Sequence, residues 1–317
     1  MIHSFTLDEG RVVETPAEAV GPILLCINPD ANERAWLINQ YHLDEHNLNS
    51  ALDPAELPRV ERDINHLAVI FKLPKHYTAK DNLVFHINSL GLFLFQDRLI
   101  VIALDDSVMT FTGRAFTKVQ NLQMLFLRII SSCITHFFGH LQVINDIAAE
   151  LEPKLVRSME NRHLLQMFSI EKSLVYYVNA ISANGRVIDR LKANARNEQA
   201  DGLTPEMIEF VDDLAIENAQ CLEQAQVYAN VFTGLMDARA SIVNNNLNVL
   251  MKRLTVINVV FMPLNVISGI GGMSEFSMMT KNIPWPIAYS VFMVGLGIIG
   301  WITYKILILL ERQHITS

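Results

Sequence analysis

Cysteine is scarce in this sequence and scattered. Cys26, Cys133 and Cys221 stand far apart and odd in number, which excludes a disulfide framework and a CxxC metal pair. Basic residues are also in deficit, 25 Lys and Arg against 33 Asp and Glu for a net charge of −8. A nucleic-acid partner is thereby excluded, because such binders present a basic face to phosphate. No glycine-rich phosphate loop, nucleophile motif or metalloenzyme signature is present, so the chain is not read as an enzyme, and no cofactor is required. The first twenty residues lack an apolar run and carry Asp8, Glu9, Glu14 and Glu18. They are not a secretory signal, and the large N-terminal part is expected to stay in the cytoplasm. Tandem repeats and low-complexity tracts are missing too.

What is plentiful is apolar surface. Half of the residues are hydrophobic and mean hydropathy is +0.24, with the excess gathered near the C-terminus. A chain of 317 residues has room for a soluble domain with a substantial core and for membrane spans.

Residues 1–115 read as an α/β domain. Pro22–Ile27 is a short apolar run before the turn-like Asn28-Pro29-Asp30, as a buried strand requires. Ala31–Tyr41 and Asn49–Leu57 follow as helical pieces. His66–Leu73, Leu83–Ile87, Leu90–Phe95 and Leu99–Leu104 are β-rich, with Gln96-Asp97-Arg98 as the turn of a hairpin. Residues 116–202 are helical: Lys118–Glu152 up to Pro153, then Leu155–Ala195, then the polar break 197–202. Leu122–Ile144 is apolar enough to be taken for a span, but Arg128, His136, His140 and Gln142 inside it favour a buried cytoplasmic helix. A very long helix is expected from Pro205, with Thr204 as N-cap. Residues 203–253 form its stalk. If continuous to Gly272 it measures about 100 Å.

Leu254–Met273 is twenty residues without a charge, enough to cross a hydrocarbon core of about 30 Å. Lys252 and Arg253 mark its cytoplasmic flank. Asn248, Met251, Leu254, Asn258, Met262, Asn265 and Gly269 recur every three or four residues and so share one helical face. Amides inside hydrocarbon are costly unless they face protein or water. Asn258 and Asn265 therefore either line an aqueous path or join helices by hydrogen bonds. A polar loop, 274–282, contains Glu275, which would attract cations at the outer mouth, and Lys281. A second span at 283–310 begins with Pro284-Trp285-Pro286, uses Trp285, Trp301 and Tyr304 as interfacial anchors, and leads to a cytoplasmic tail at 311–317. It has no polar stripe and is expected to face lipid. One pair of spans cannot enclose a path, so several copies must surround an axis.

Leu247–Thr255, then Phe261-Met262-Pro263-Leu264, then Ser268-Gly269-Ile270-Gly271-Gly272-Met273 resemble the signature of the CorA family of divalent-cation transporters, approximately MNEVMKxLT followed by IFIPLTFIAGIYGMN. Pro58-Arg59-Val60-Glu61 is similar to a short element of that family. The resemblance implies a funnel-shaped homopentamer in the bacterial inner membrane, with both termini cytoplasmic and the first span lining the pore. Met251, Leu254 and Met262 would be apolar collars able to close it by dewetting, or coiled-coil filling. Gly272, Met273 and Ser274 would form the outer filter. Where the family closes with Gly-Met-Asn, Ser274 stands in place of the amide, and its hydroxyl has a shorter reach. Mg2+ is held best through its water shell, so the change points to Zn2+ or a broad range including Mg2+, Co2+ and Ni2+. The zinc-transporting ZntB branch and the CmaX proteins also depart from the family motif. Asp213 falls where the family carries a regulatory-metal aspartate, or else it belongs to a solvated acidic face. His42 with His46, and His136 with His140, have the i, i+4 spacing of zinc ligands. The reading of another class is a non-conducting oligomeric membrane scaffold that kept the fold.

Overall fold

The computed structural model describes residues 1–16, 20–77, 83–105, 111, 116–157, 161–196 and 204–315. The polar break at 197–202 and the last two residues of the expected tail, 316–317, thus lie outside the described residues. The chain divides into two compact units, Met1–Asp237 and Ala238–Ser317.

In the first unit, strands β1 (Ile2–Asp8), β2 (Arg11–Glu14), β3 (Ile23–Ile27), β4 (Arg59–Arg62), β5 (His66–Pro74), β6 (Ile87–Phe95) and β7 (Leu99–Ala103) form one sheet. Its order is β2-β1-β3-β7-β6-β5-β4, with β3 and β7 parallel and every other neighbour antiparallel. Helices cover both faces, which is why the central strands read as unbroken apolar runs. Leu24, Cys26, Ile70, Phe93, Ile100 and Ile102 pack with α1 (Ala31–Tyr41) and α2 (Glu45–Ala51). Ile23, Leu25, Val69, Phe71, Leu92 and Val101 point the other way, into the larger core built with α3 (Leu122–Arg157), α4 (Asn161–Arg196) and the start of α5 (Pro205–Gly271). Gly91 of β6 lets α2 come close, since a Cβ there would lie 2.4 Å from the Cβ of Ala51.

Local chemistry sets several boundaries. Asp30 caps α1 in a reciprocal box with Glu33. The carbonyl of Thr204 accepts the first bond of α5, from Ile208 at 3.1 Å. Arg59 binds Glu56, Glu61, Asn47 and Ser50, and so ties the Pro-Arg-Val-Glu element of β4 to α2. The hairpin β1–β2 was not among the expected strands. It turns at Glu9 and Gly10, both with positive φ, a turn chemistry legible in retrospect. The second helical piece forms at 45–51, where Asp44 caps it, rather than at 49–57. Leu83–Phe85 stays outside β6. Helix α3 continues through Pro153 to Arg157.

Among the described residues, three helices are long and apolar enough to span a membrane: Leu122–Pro153, Pro205–Gly271 and Trp285–Leu309. The first is more than half buried in the protein, with Leu125, Ile129, Ile130, Phe137 and Leu141 in the sheet's core. Its apolar surface is therefore already satisfied by protein. Deep in the α3–α4 contact the His140 ring meets the Tyr177 hydroxyl at 2.8 Å. Burial pushes the His140 imidazole down to about 4, helped by His136 and His76. A His neutral in the fold but protonated in the unfolded chain destabilises as pH falls from about 6.5 towards 4. That loss amounts to roughly 3 kcal/mol for this group. Chemical denaturation of the full chain between pH 7 and 4 should show it, and His140→Phe should flatten the slope; an unchanged slope would place the acid sensitivity elsewhere.

Candidate functional site

Both apolar spans of the second unit have very little surface buried by protein, in contrast to α3. An exposed apolar helix of this length needs lipid or other copies around it. From Arg253 to Gly271 is eighteen residue steps along α5, about 27 Å. In α7 (Trp285–Ile315) nineteen steps lead from Trp285 to Tyr304, about 28 Å. Both lengths match a hydrocarbon core. Trp285 and Trp301 are exposed, and Lys305 sits 5.6 Å from the Trp301 ring.

The two spans pack through small residues. A Cβ on Gly271 would lie 2.4 Å from Cζ of Phe292, and one on Gly300 would lie 3.3 Å from Leu264. These contacts run antiparallel and define the α5 face turned to α7. Val256, Val260, Leu264 and Ile267 are half-buried on that stripe, and Gly271 is buried at its end. Stepping 100° per residue, Leu254, Asn258, Met262, Asn265 and Gly269 fall on roughly the opposite side. They are exposed, as are Asn248 and Met251 nearer the N-terminal end. The polar stripe therefore points away from the chain's own second span.

Hydroxyls in these spans are satisfied locally. Thr255 donates to the Met251 carbonyl at 2.9 Å and Thr303 to the Ile299 carbonyl at 2.8 Å. Asn258 and Asn265 have no such solution, and among the described residues neither amide has a hydrogen-bond partner. Pro263 lies between them and supplies no N–H to the Val259 carbonyl one turn back.

At the end of α5 the last carbonyls find backbone partners. Ser268 and Gly269 accept from the Gly272 amide, at 3.1 and 3.2 Å, and Ile270 accepts from Met273 at 3.1 Å. A tightened last turn closes them, leaving each oxygen a second lone pair. Gly272, Met273 and Ser274 are exposed. Ser274 opens a six-residue helix, α6 (Ser274–Met279), where an irregular polar loop was expected. The backbone of Glu275 belongs to α6; its side chain lies outside the described part of the structure.

Asp213 is exposed on α5 in the first unit, while Lys192 holds its neighbour Asp212 at 2.9 Å. Glu217 stands one turn on. Burial raises its carboxyl above the usual range, the Asp213 charge raises it further, and Arg128 partly offsets both. No group of three or more His, Cys, Asp or Glu fit to hold a metal occurs among the described residues. His42 ends α1 in a left-handed conformation and His46 belongs to α2, so the helical spacing expected of that pair does not exist. His140 is engaged by Tyr177.

Comparison with known proteins bears on this arrangement. A family model described as "CorA-like Mg2+ transporter protein" matches residues 23–307. The cobalt/magnesium transport protein CorA of Methanocaldococcus jannaschii is 25% identical over 262 residues, covering 82% of this chain and 81% of that one. Its complete structure superposes with a TM-score of 0.76 at 23% identity, over 96% of each chain. The full-length CmaX protein gives 0.68 at 14% identity, again over 96% of each chain. The ZntB cytoplasmic domain of Vibrio parahaemolyticus gives 0.59 at 15% identity, over 77% of this chain and 98% of that one.

The close α5–α7 contact yields a test. Gly271→Leu should break the packing and lower the thermal midpoint of the detergent-solubilised protein by several degrees, and adding Phe292→Ala should restore most of the loss. Equal loss in the single and double variants would mean that the two spans do not meet there.

Proposed function

Because the chain belongs to the CorA-like Mg2+ transporter family, we propose that it passes divalent cations across a membrane through an aqueous path lined by the polar face of α5 in a ring of identical copies. The observation that carries this reading is the pair of amides, Asn258 and Asn265, without partners inside a charge-free span and facing away from α7. Copies arranged about an axis would turn these faces inward, where water and hydrated ions supply the missing hydrogen bonds. We take the ring to be a pentamer, the arrangement that the family resemblance implies.

In that ring Asn248 stands at the cytoplasmic mouth, and Met251, Leu254 and Met262 form collars that exclude water when they close. Asn258 is the polar ring between Leu254 and Met262, Asn265 is the one beyond Met262, and Gly269 leaves the bore wide near its outer end. Gly272, Met273 and Ser274 form the outer filter, with Glu275 drawing cations from the loop side. A hydroxyl at Ser274 grips a hydrated ion less firmly than an amide. The ion range is accordingly broad, Zn2+, Co2+ and Ni2+ along with Mg2+. Lys252 and Arg253 before the first span and Lys305 at the end of the second support the reading that both termini lie in the cytoplasm of a bacterial inner membrane. Asp213 belongs to this reading as a regulatory ligand: a cation shared with a neighbouring copy's carboxylates would relieve its repulsion with Glu217.

The test is a flux panel with full-length protein in liposomes, comparing Zn2+, Mg2+, Co2+ and Ni2+ with and without a pH gradient. Several ions should pass, and Asn265→Leu should reduce the flux at least about tenfold, the order expected when a polar ring in low dielectric is lost. Silence for all four ions under every gradient would favour the non-conducting scaffold.

A further inference from the structure

The first unit holds a groove unrelated to the polar stripe. Its volume is about 730 Å3, and it lies between α4, the 54–58 connection after α2, and the 84–87 segment leading into β6. Charge around it runs against the acidic balance of the chain. Lys72, Lys172 and Arg186 all line it, and its carboxylate, Glu56, is already held by Arg59 at 2.8 Å.

Lys72 is the unusual member. Only 6% of it is exposed, yet no carboxylate pairs with it among the described residues. Its Nζ donates to the Pro54 carbonyl at 2.6 Å and to Ser89 Oγ at 2.8 Å. Two bonds leave one of the three ammonium hydrogens without a protein acceptor. The position is enforced from behind. Beyond the last β4 pairing, the backbone N–H and C=O of Lys72 are both taken by the buried Asn184 of α4, each at 2.9 Å. Burial pushes the ammonium down to about 8, because Asp53 and Glu56 offset only part of the desolvation. A buried cation whose direct partners are both neutral oxygens, with carboxylates acting only from a distance, carries a cost that a bound anion would reduce.

The rest of the lining says what kind of anion. Tyr176, Asn179, Ala183 and Arg186 recur at helical spacing along α4, and Tyr176 and Arg186 are about 15 Å apart along its axis. Arg186 has no partner among the described residues. At the other end Phe168 and Tyr176 expose more than half of their surface beside the groove, an unusual position for large aromatic side chains unless something stacks on them. Lys72 and Arg186 at one end, and at the other the aromatic faces with Lys172, whose Nζ lies 6.0 Å from the Tyr176 ring, match a molecule with a phosphate on one side and a flat ring on the other.

We propose that this groove is a binding site for a small aromatic phosphate of nucleotide size, with Lys72 and Arg186 holding the phosphate and Phe168 and Tyr176 flanking the ring. The assignment does not depend on the transport reading, and either can fail alone. Calorimetric titration of the full chain in detergent, with EDTA present so that no divalent cation bridges ligand and protein, tests it. The probes are adenosine 5′-monophosphate, 1-naphthyl phosphate, adenosine and inorganic phosphate. At least one aromatic phosphate should bind once per chain, with adenosine and inorganic phosphate each at least about tenfold weaker. Arg186→Ala and Tyr176→Ala, both at exposed positions, should each weaken that binding about tenfold without lowering the thermal midpoint. No saturable binding of either aromatic phosphate would overturn the proposal, and so would binding that both variants leave intact.

Discussion

A hydrogen-bonding group in hydrocarbon must find a partner or lose several kcal/mol, and the second unit is arranged around the two amides for which that requirement is unmet. The backbone meets it by helix formation. The threonines meet it by bonding back to their own helix. Asn258 and Asn265 have side chains whose oxygen and nitrogen find no partner among the described residues. The close packing of α5 on α7 through Gly271 and Gly300 occupies one side of the helix, and the amides lie on the side turned away from it.

The first unit solves a different problem with the same apolar vocabulary. Helix α3 has the hydropathy of a span, yet its apolar residues close the core over the sheet. Hydropathy is blind to that difference, because a sheet and a bilayer offer similar solvent to a leucine. The polar residues separate the two cases. Arg128 lies over the Phe210 ring and His140 is bonded to Tyr177, local arrangements that a packed protein interior supplies.

Legibility in the sequence followed the strength of the local signal. The α1 bounds, the β6–β7 hairpin and the start of α5 could be read because Asp30, the Gln96-Asp97-Arg98 turn and Thr204-Pro205 each carry their own boundary chemistry. The β1–β2 hairpin was missed: β1 is only half-buried and β2 is short and mostly exposed, and only the Glu9-Gly10 turn announces them. Helix α6 was missed because six residues give too little periodicity to detect. The polar stripe was visible from spacing alone, but its direction was not. That depends on where α7 packs, and the glycines that decide it are uninformative until their neighbours are known.

The central claim is that the amide faces of identical copies meet around water. Spin labels attached to Asn258→Cys and, in a second variant, to Val294→Cys on the side of α7 turned away from α5 test it most directly, since Cys26, Cys133 and Cys221 are buried. In reconstituted protein the label at 258 should be broadened by neighbouring copies and relaxed by a water-soluble nickel chelate, while the label at 294 responds to dissolved oxygen. A label at 258 that is isolated from its copies and sensitive to oxygen alone, with the label at 294 showing the reverse, would contradict the account.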